Sequence, residues 1–296
     1  MSVRPDTFQV KDGQVFVGGC ALQQLREQFG TPLYVFDVAT CKRVVSDYLS
    51  IKEFYSDVQI SYASKALSIT ALYQLLNEQG LYFDVVSDGE FYTAINAGVP
   101  ADKCYFHGNN KTRDELRFAL GKGMGVIVVD NKEELKLIRE VYDELGLKGK
   151  IAILVRIVPE IEAHTHEFIR TGQRDTKFGV HLEELVDFVK TAQSLDVFDF
   201  QGLHAHIGSQ IFDTDPFHLL MDRIVEISWD IYNKTGVISS VLNVGGGIGI
   251  KYTEDDDPPG IREFVKDIGV NLNNSLQKYD YPVKPTLVLE PGRSIV

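Results

Sequence analysis

The chain alternates short β-branched or apolar runs with longer stretches whose apolar residues recur at helical spacing. The first run, Val58–Ala63, leads into a helical segment over Leu67–Gln79 that closes on Gly80. Tyr82–Val86 runs into Ser87-Asp88-Gly89-Glu90, with the S-x-x-E spacing of a capping box, and the helix behind it ends near Gly98 and Pro100. Cys104–His107 precedes a second such box, Thr112-Arg113-Asp114-Glu115. Val126–Val129 ends in Asp130-Asn131, a good N-cap. Leu135, Ile138, Val141, Tyr142 and Leu145 then share one helical face, and Gly146 suits the C-cap. Further on come Ile151–Ile157, a long polar loop to Lys177, and a helix from Leu182. The run Gly202–Ile207, a helix over Pro216–Lys234, the run Val241–Val244, a helix over Ile261–Tyr279 and the run Thr286–Glu290 complete the pattern.

Eight strand candidates, with a helix after each of the first seven, imply parallel strands. Eight such units over roughly 250 residues is the count of an α/β fold closed as a (β/α)8 TIM barrel. A doubly wound open sheet is the alternative, because alternation alone does not show closure. Residues ahead of the barrel read differently. Phe8–Val17, with Asp12-Gly13 at its middle, predicts a β-hairpin, followed by a short helix and the apolar run Leu33–Phe36. Residues 1–36 are therefore expected to be the N-terminal contribution to a β-domain, and residues 37–296 the barrel. The chain stops in an apolar, strand-like run, Arg293-Ser294-Ile295-Val296, so the C-terminal part of that β-domain is expected to be largely absent.

Bulk properties narrow the class. Of the 296 residues 44% are hydrophobic, enough for a sizeable core, and the net charge of −12 argues against a nucleic-acid partner. Met1–Lys11 has no apolar signal core, and no apolar run approaches the roughly 18–20 residues of a membrane span. Cys20, Cys41 and Cys104 are far apart and show no metal-ligand or disulfide spacing. The expectation is a cytoplasmic protein with neither a membrane nor a metal.

In a barrel of this kind chemistry sits where strands end. Here those ends offer Ser64-Lys65, Asp84, His107-Gly108-Asn109, Asp130, Arg156, His204 with His206 and Gly208-Ser209-Gln210, Gly245-Gly246-Gly247, and Glu290-Pro291-Gly292-Arg293. Each alone admits a plainer reading: a solvated lysine, hydrogen-bonded core histidines, a tight turn, a surface ion pair. Their joint position changes this. A glycine turn after the seventh strand and an arginine after the eighth occupy the usual phosphate site of the barrel. A lysine at the opposite side of the same rim then suggests pyridoxal 5′-phosphate. That cofactor needs a Schiff-base lysine, a phosphate cradle and a group that sets the charge of its pyridine nitrogen. Glu290 suits the last role, and His206 suits stacking on the ring.

Tyr62-Ala63-Ser64-Lys65-Ala66, His204-Ala205-His206-Ile207-Gly208-Ser209-Gln210, Gly245-Gly246-Gly247 and Glu290-Pro291-Gly292-Arg293 occur in the order found in the fold-type III decarboxylases, the alanine-racemase-like barrels, and the chain resembles them. The loop from His164 to Gly172, closing on Lys177-Phe178-Gly179, resembles the diaminopimelate decarboxylase branch. The resemblance implies that Lys65 binds the cofactor covalently and that His206 stacks on its ring. It further implies that Ser209, Gly245, Gly246, Gly247 and Arg293 hold or border the phosphate, and that Glu290 pairs with the pyridine nitrogen. Asp84 and Glu90 would orient Lys65, and Arg293 would help bind the substrate carboxylate. The implied reaction converts meso-diaminopimelate to lysine in a homodimer. Leu67 and Asp88 depart from the family pattern, which commonly has Asn and Gly there. In the family a C-terminal region with a Cys-Glu-Ser-like motif and a tyrosine supplies the proton donor and much of the substrate pocket. The chain alone is accordingly expected to be inactive or weakly active. An ornithine- or arginine-type decarboxylase, and a pyridoxal-phosphate-binding fragment or paralogue without turnover, are the alternatives.

Overall fold

The structure, a computed structural model, describes residues 4–161 and 178–296. The expected loop from His164 to Lys177 lies outside the described residues.

Eight parallel strands close into a barrel. They are β4 (Val58–Ala63), β5 (Tyr82–Val85), β6 (Cys104–Phe106), β7 (Val126–Val129), β8 (Ile151–Arg156), β9 (Phe198–His204), β10 (Val241–Asn243) and β11 (Thr286–Leu289). The open-sheet alternative is thereby excluded, because β11 pairs with β4 as well as with β10. Helices α3 (Thr70–Glu78), α4 (Asp88–Asn96), α5 (Arg113–Gly121), α6 (Lys132–Leu145), α7 (Leu182–Ser194), α8 (Asp215–Thr235) and α9 (Ile261–Lys278) make the seven crossovers. An unexpected helix, α2 (Val38–Leu49), precedes β4 and packs against α9, completing the outer ring. Its signal was present: Cys41, Val44, Val45 and Tyr48 fall at i, i+3, i+4 and i+7 and are all buried, and the Asp37 carboxylate caps the Ala39 amide.

The caps explain where helices begin. Thr112 and Glu115 form the complete reciprocal box, whereas the Glu90 carboxylate accepts from the Val86 amide rather than from Ser87. Asn131 caps α6, and Gly146 ends it in the left-handed region. The helix expected from Leu67 begins only at Thr70, because Ser64–Ala66 form a 3-10 turn that Leu67 ends in extended backbone. The sixth barrel strand begins at Phe198 rather than Gly202; the exposed Asp199 and the half-buried Gln201 hide its first half from an apolar pattern.

One apolar cluster fills the barrel and a larger one lies between its strands and the surrounding helices. In β7, Val126 and Val128 join Tyr105, Leu154 and Val288 in the interior, while Ile127 and Val129 face the helices with the larger cluster. Ahead of the barrel, β1 (Gln9–Lys11), β2 (Gln14–Val17) and β3 (Cys20–Ala21) form a three-stranded antiparallel sheet followed by α1 (Leu22–Phe29). Leu33–Phe36 form no strand, and their side chains are exposed.

Candidate functional site

Strand parity builds the site. Side chains alternate across a strand, so the residue two steps beyond an interior apolar one also points into the barrel. Tyr82, Tyr105, Val128, Leu154, Val241 and Val288 lie inside or against the interior cluster. Two residues on stand Asp84, His107, Asp130, Arg156, Asn243 and Glu290, and His204 joins them from the end of β9. Of these, Asp84, His107, Arg156, His204 and Glu290 floor a cavity of about 1240 Å³ at the strands' C-terminal ends, which Lys65 also lines.

The centre of this floor is Glu290, buried just past β11. Asn243 Nδ2 donates to its Oε1 at 2.6 Å, and the Gly245 amide fixes the Asn243 carbonyl at 2.9 Å. His204 Nε2 stands 3.2 Å from Oε2. His107 Nε2 makes a charge contact 2.9 Å from Oε1 and lies 3.7 Å from Asp84 Oδ1. Burial works against the Glu290 charge, yet His107 and His204 outweigh it and hold the carboxyl well below 4.5. For Asp84 burial wins: its pKa is pushed up to about 7, with His107 opposing and Glu290 adding. Burial also disfavours charge on His107, but Asp84 and Glu290 prevail and raise its pKa. His204 is driven down to about 3, by burial first. These are two carboxyls and two imidazoles with opposite assignments, set by their surroundings.

The rim above carries the remaining expected residues. Lys65 lies in the 3-10 turn after β4 and reaches the cavity. Contrary to expectation, it does not stand at the opposite side of the rim from the glycine turn and Arg293. Closure makes β4 and β11 neighbours, the Ala63 amide donates to the Pro291 carbonyl at 2.9 Å, and Lys65 sits beside the Glu290–Arg293 segment. His206 also lines the cavity; burial, then the nearby Lys65 charge, lowers its pKa to about 4, so the ring is neutral near pH 7. Arg293 Nη2 donates to Ser209 Oγ at 3.2 Å, and its Nη1 donates to the Tyr252 hydroxyl. The glycine turn fits tightly between strand ends. A β-carbon on Gly247, whose φ is +117°, would lie 2.4 Å from the Gly208 carbonyl oxygen. Gly245 packs against His206, with a β-carbon position 2.8 Å from its Nδ1.

All the expected residues, Lys65, Asp84, His206, Ser209, Gly245, Gly246, Gly247, Glu290 and Arg293, thus gather at one end of the barrel. Glu90 bonds locally at the start of α4. Sequence reasoning placed His107, His204 and Arg156 on the rim without assigning them partners, and it passed over Asn243 and Tyr252. Parity was the available signal for Asn243; none pointed to Tyr252.

The chain is 43% identical to the diaminopimelate decarboxylase of Bacillus subtilis over 296 residues, covering 97% of this chain and 66% of that relative. It thus spans slightly less than two thirds of the relative's length. The structure superimposes on M. jannaschii diaminopimelate decarboxylase in complex with L-lysine with a TM-score of 0.88 at 34% identity, covering 98% of this chain and 67% of the other. The lysine/ornithine decarboxylase of Vibrio vulnificus complexed with putrescine aligns with a TM-score of 0.74 at 26% identity, over 93% of this chain and 66% of the other. Residues 41–296 match the family model described as the pyridoxal-binding domain of pyridoxal-dependent decarboxylases. With that match running from within α2, through the whole barrel, to Val296, the chain belongs to the pyridoxal-dependent decarboxylase family and carries its pyridoxal-binding domain.

Proposed function

We propose that this barrel holds pyridoxal phosphate for a protein that decarboxylates meso-diaminopimelate to lysine. The observation that carries the reading is the convergence, on one rim, of Lys65, the buried Glu290 and the Ser209–Arg293–glycine cradle. These residues fit the cofactor. Gly246 and Gly247 line the cavity as bare backbone, packed too closely on Glu290 and Gly208 for a side chain, Arg293 and Ser209 bring cationic and hydroxyl donors to the same rim, and a buried carboxylate lies across the floor. Asp84 Oδ1 and His204 Nδ1, both buried, lack hydrogen-bond partners among the described residues, so the floor retains polar capacity for a ligand.

When bound, pyridoxal phosphate supplies the electron sink for the charge left behind as carbon dioxide departs. Lys65 would hold its aldehyde end, and Ser209, Gly245–Gly247 and Arg293 its phosphate. Glu290 would face the pyridine nitrogen, where a carboxylate favours the protonated ring. The neutral His206 would lie against the ring, adding no positive charge that competes with it. Asp84 orients Lys65 from below, and Arg293 also takes the substrate carboxylate. Residues 1–36 belong, in this reading, to a β-domain and residues 37–296 to the barrel. The remaining third of the relatives' length corresponds to the part that supplies the proton donor and much of the substrate pocket. The protein is proposed to act in the cytoplasm as a homodimer, and this chain alone to turn over weakly or not at all. Among the described residues no helix is long and apolar enough to cross a membrane.

The test has two stages. Incubation of the chain with pyridoxal phosphate, borohydride reduction and peptide mapping is expected to give one stoichiometric adduct, on Lys65. Scattered adducts on surface lysines would overturn the cofactor site. Carbon dioxide release by the protein extended to its relatives' full length is expected with meso-diaminopimelate and not with ornithine or arginine. The likeness to the V. vulnificus enzyme motivates the second reading, an ornithine- or arginine-type decarboxylase, and the opposite preference would establish it.

A further inference from the structure

We propose that His107 is a positioning residue: as a cation standing between Glu290 and Asp84, it keeps Glu290 a carboxylate able to serve the cofactor's pyridine nitrogen. The inference rests on the cofactor reading above and adds to it the group that sets the charge of Glu290.

Two carboxyls that share a buried site without a cation divide one proton between them, and which one ionises is then set by small differences. Here Asp84 from β5 and Glu290 after β11 converge on one imidazole nitrogen, at 3.7 and 2.9 Å, with all three side chains buried. Of the two carboxyls, Glu290 holds the closer contact and has two further nitrogen neighbours, Asn243 and His204, whereas Asp84 Oδ1 lacks a hydrogen-bond partner among the described residues. The cation therefore ionises Glu290 and leaves Asp84 as the weaker acid. The second histidine does not compete for the charge. Among the described carboxylates His204 contacts Glu290, and it meets the His107 ring edge-on at 4.8 Å between centroids, so two adjacent imidazoliums would repel. Asn243 is aligned as a donor, because its own carbonyl is bound by the Gly245 amide.

Arg156, Lys65 and Glu90 are the other charges that act on the cluster. The Arg156 guanidinium, at the end of β8, lies 4.5 Å over the Phe178 ring, with its Nε 3.9 Å from Asp130 at the end of β7. Lys65, after β4, and His206, after β9, line the cavity above. His107 is thus the cation within contact distance of both carboxyls among the described residues. The pKa directions agree with this arrangement: His107 and Asp84 raised, Glu290 lowered.

The direct test needs neither cofactor nor turnover. In the cofactor-free chain labelled with 15N, the imidazole signals absent from His107→Gln identify His107. They are expected to remain those of an imidazolium well above pH 6.5, and a neutral ring at pH 7 would overturn the proposal. The second test measures pyridoxal phosphate affinity by equilibrium dialysis across a double-mutant cycle. His107→Gln is expected to weaken binding about tenfold, the equivalent of one pKa unit, but to have little further effect in a Glu290→Gln background. Equal weakening in both backgrounds would mean that His107 does not act through Glu290. Failure of the wild-type chain to form the Lys65 adduct would count against the cofactor reading instead, while the imidazole titration would still decide the charge of His107.

Discussion

Gly246 packs directly against Glu290: a β-carbon on the glycine would stand 2.1 Å from the glutamate's carbonyl oxygen. The contact joins the turn after β10 to the end of β11, which also bears the buried carboxylate. Gly246→Ala must therefore push these two segments apart. The expected cost is about 1–3 kcal/mol, the range for overpacking, together with lost cofactor retention. Gly121→Ala is the control, since it sits in α5 with open space around it and alanine suits a helix better than glycine. Thermal melts and dialysis of both variants test this. Equal melting temperatures and equal retention would show that the close approach has no consequence.

Asp84 makes the stability of the cofactor-free chain depend on pH. Its folded pKa, about 7, is above the ordinary 3.8. Between those values the folded chain holds a proton that the unfolded chain has lost, so stability declines as pH rises through that window. Asp84→Asn cannot lose a proton and escapes the decline. Relative to wild type it is expected to gain about 2 kcal/mol between pH 5 and pH 8. Urea titrations at both values measure this, and a difference that is the same at each pH would contradict it.

Lys111 is a lysine buried beneath the rim. Its ammonium donates to Gly108 O at 2.8 Å, Val128 O at 2.7 Å and Glu134 Oε1 at 2.6 Å, while Glu134 Oε2 accepts from the Asp130 amide at 2.9 Å. Three donors meet three acceptors, and the ends of β6 and β7 are tied to the first turn of α6. Lys111→Met leaves the Glu134 charge and two carbonyls without their cation. A loss of about 3–5 kcal/mol is expected, and Lys111→Met with Glu134→Leu should recover part of it. If the double variant is no more stable than Lys111→Met, the buried pair is not what the lysine serves.

Much of this site was legible because strand periodicity is local. Once Val126–Val129 or Thr286–Glu290 is recognised as a strand, parity alone sends Asp130 and Glu290 inward. Asp84 and His107 were legible as the residues that end strands, and parity gives the reason they also point inward. What was not legible is what closure creates. That Lys65 neighbours Glu290 follows from the pairing of the first barrel strand with the last, a contact between segments more than two hundred residues apart. The grip of His107 and His204 on one carboxylate depends likewise on three strands meeting across the barrel. Asn243 stayed hidden for a different reason, as one polar residue in an apolar run, read there as part of the strand alone. Helix α2 was missed although its buried face has helical spacing, because the strand–helix rhythm was counted only from Val58.

The phosphate assignment can be separated from the rest of the site by comparing two ligands that differ in one group. Arg293 and Ser209 are joined at 3.2 Å above the glycine turn, and both are exposed to the cavity mouth rather than packed in the core. Their removal should therefore cost little stability. Charge-assisted hydrogen bonds to phosphate contribute more than neutral ones, and the arginine fork suits a phosphate better than a single donor. Arg293→Met and Ser209→Ala are accordingly expected to weaken pyridoxal phosphate by about tenfold or more and by a few-fold, respectively, while leaving the weaker binding of pyridoxal nearly unchanged. Dialysis with each ligand measures the ratio. If Arg293→Met weakens both ligands equally, the arginine acts on the ring or the fold, and the phosphate must be held elsewhere. If only pyridoxal phosphate is affected, the anion lies beside Arg293, next to the turn whose glycines admit no side chain.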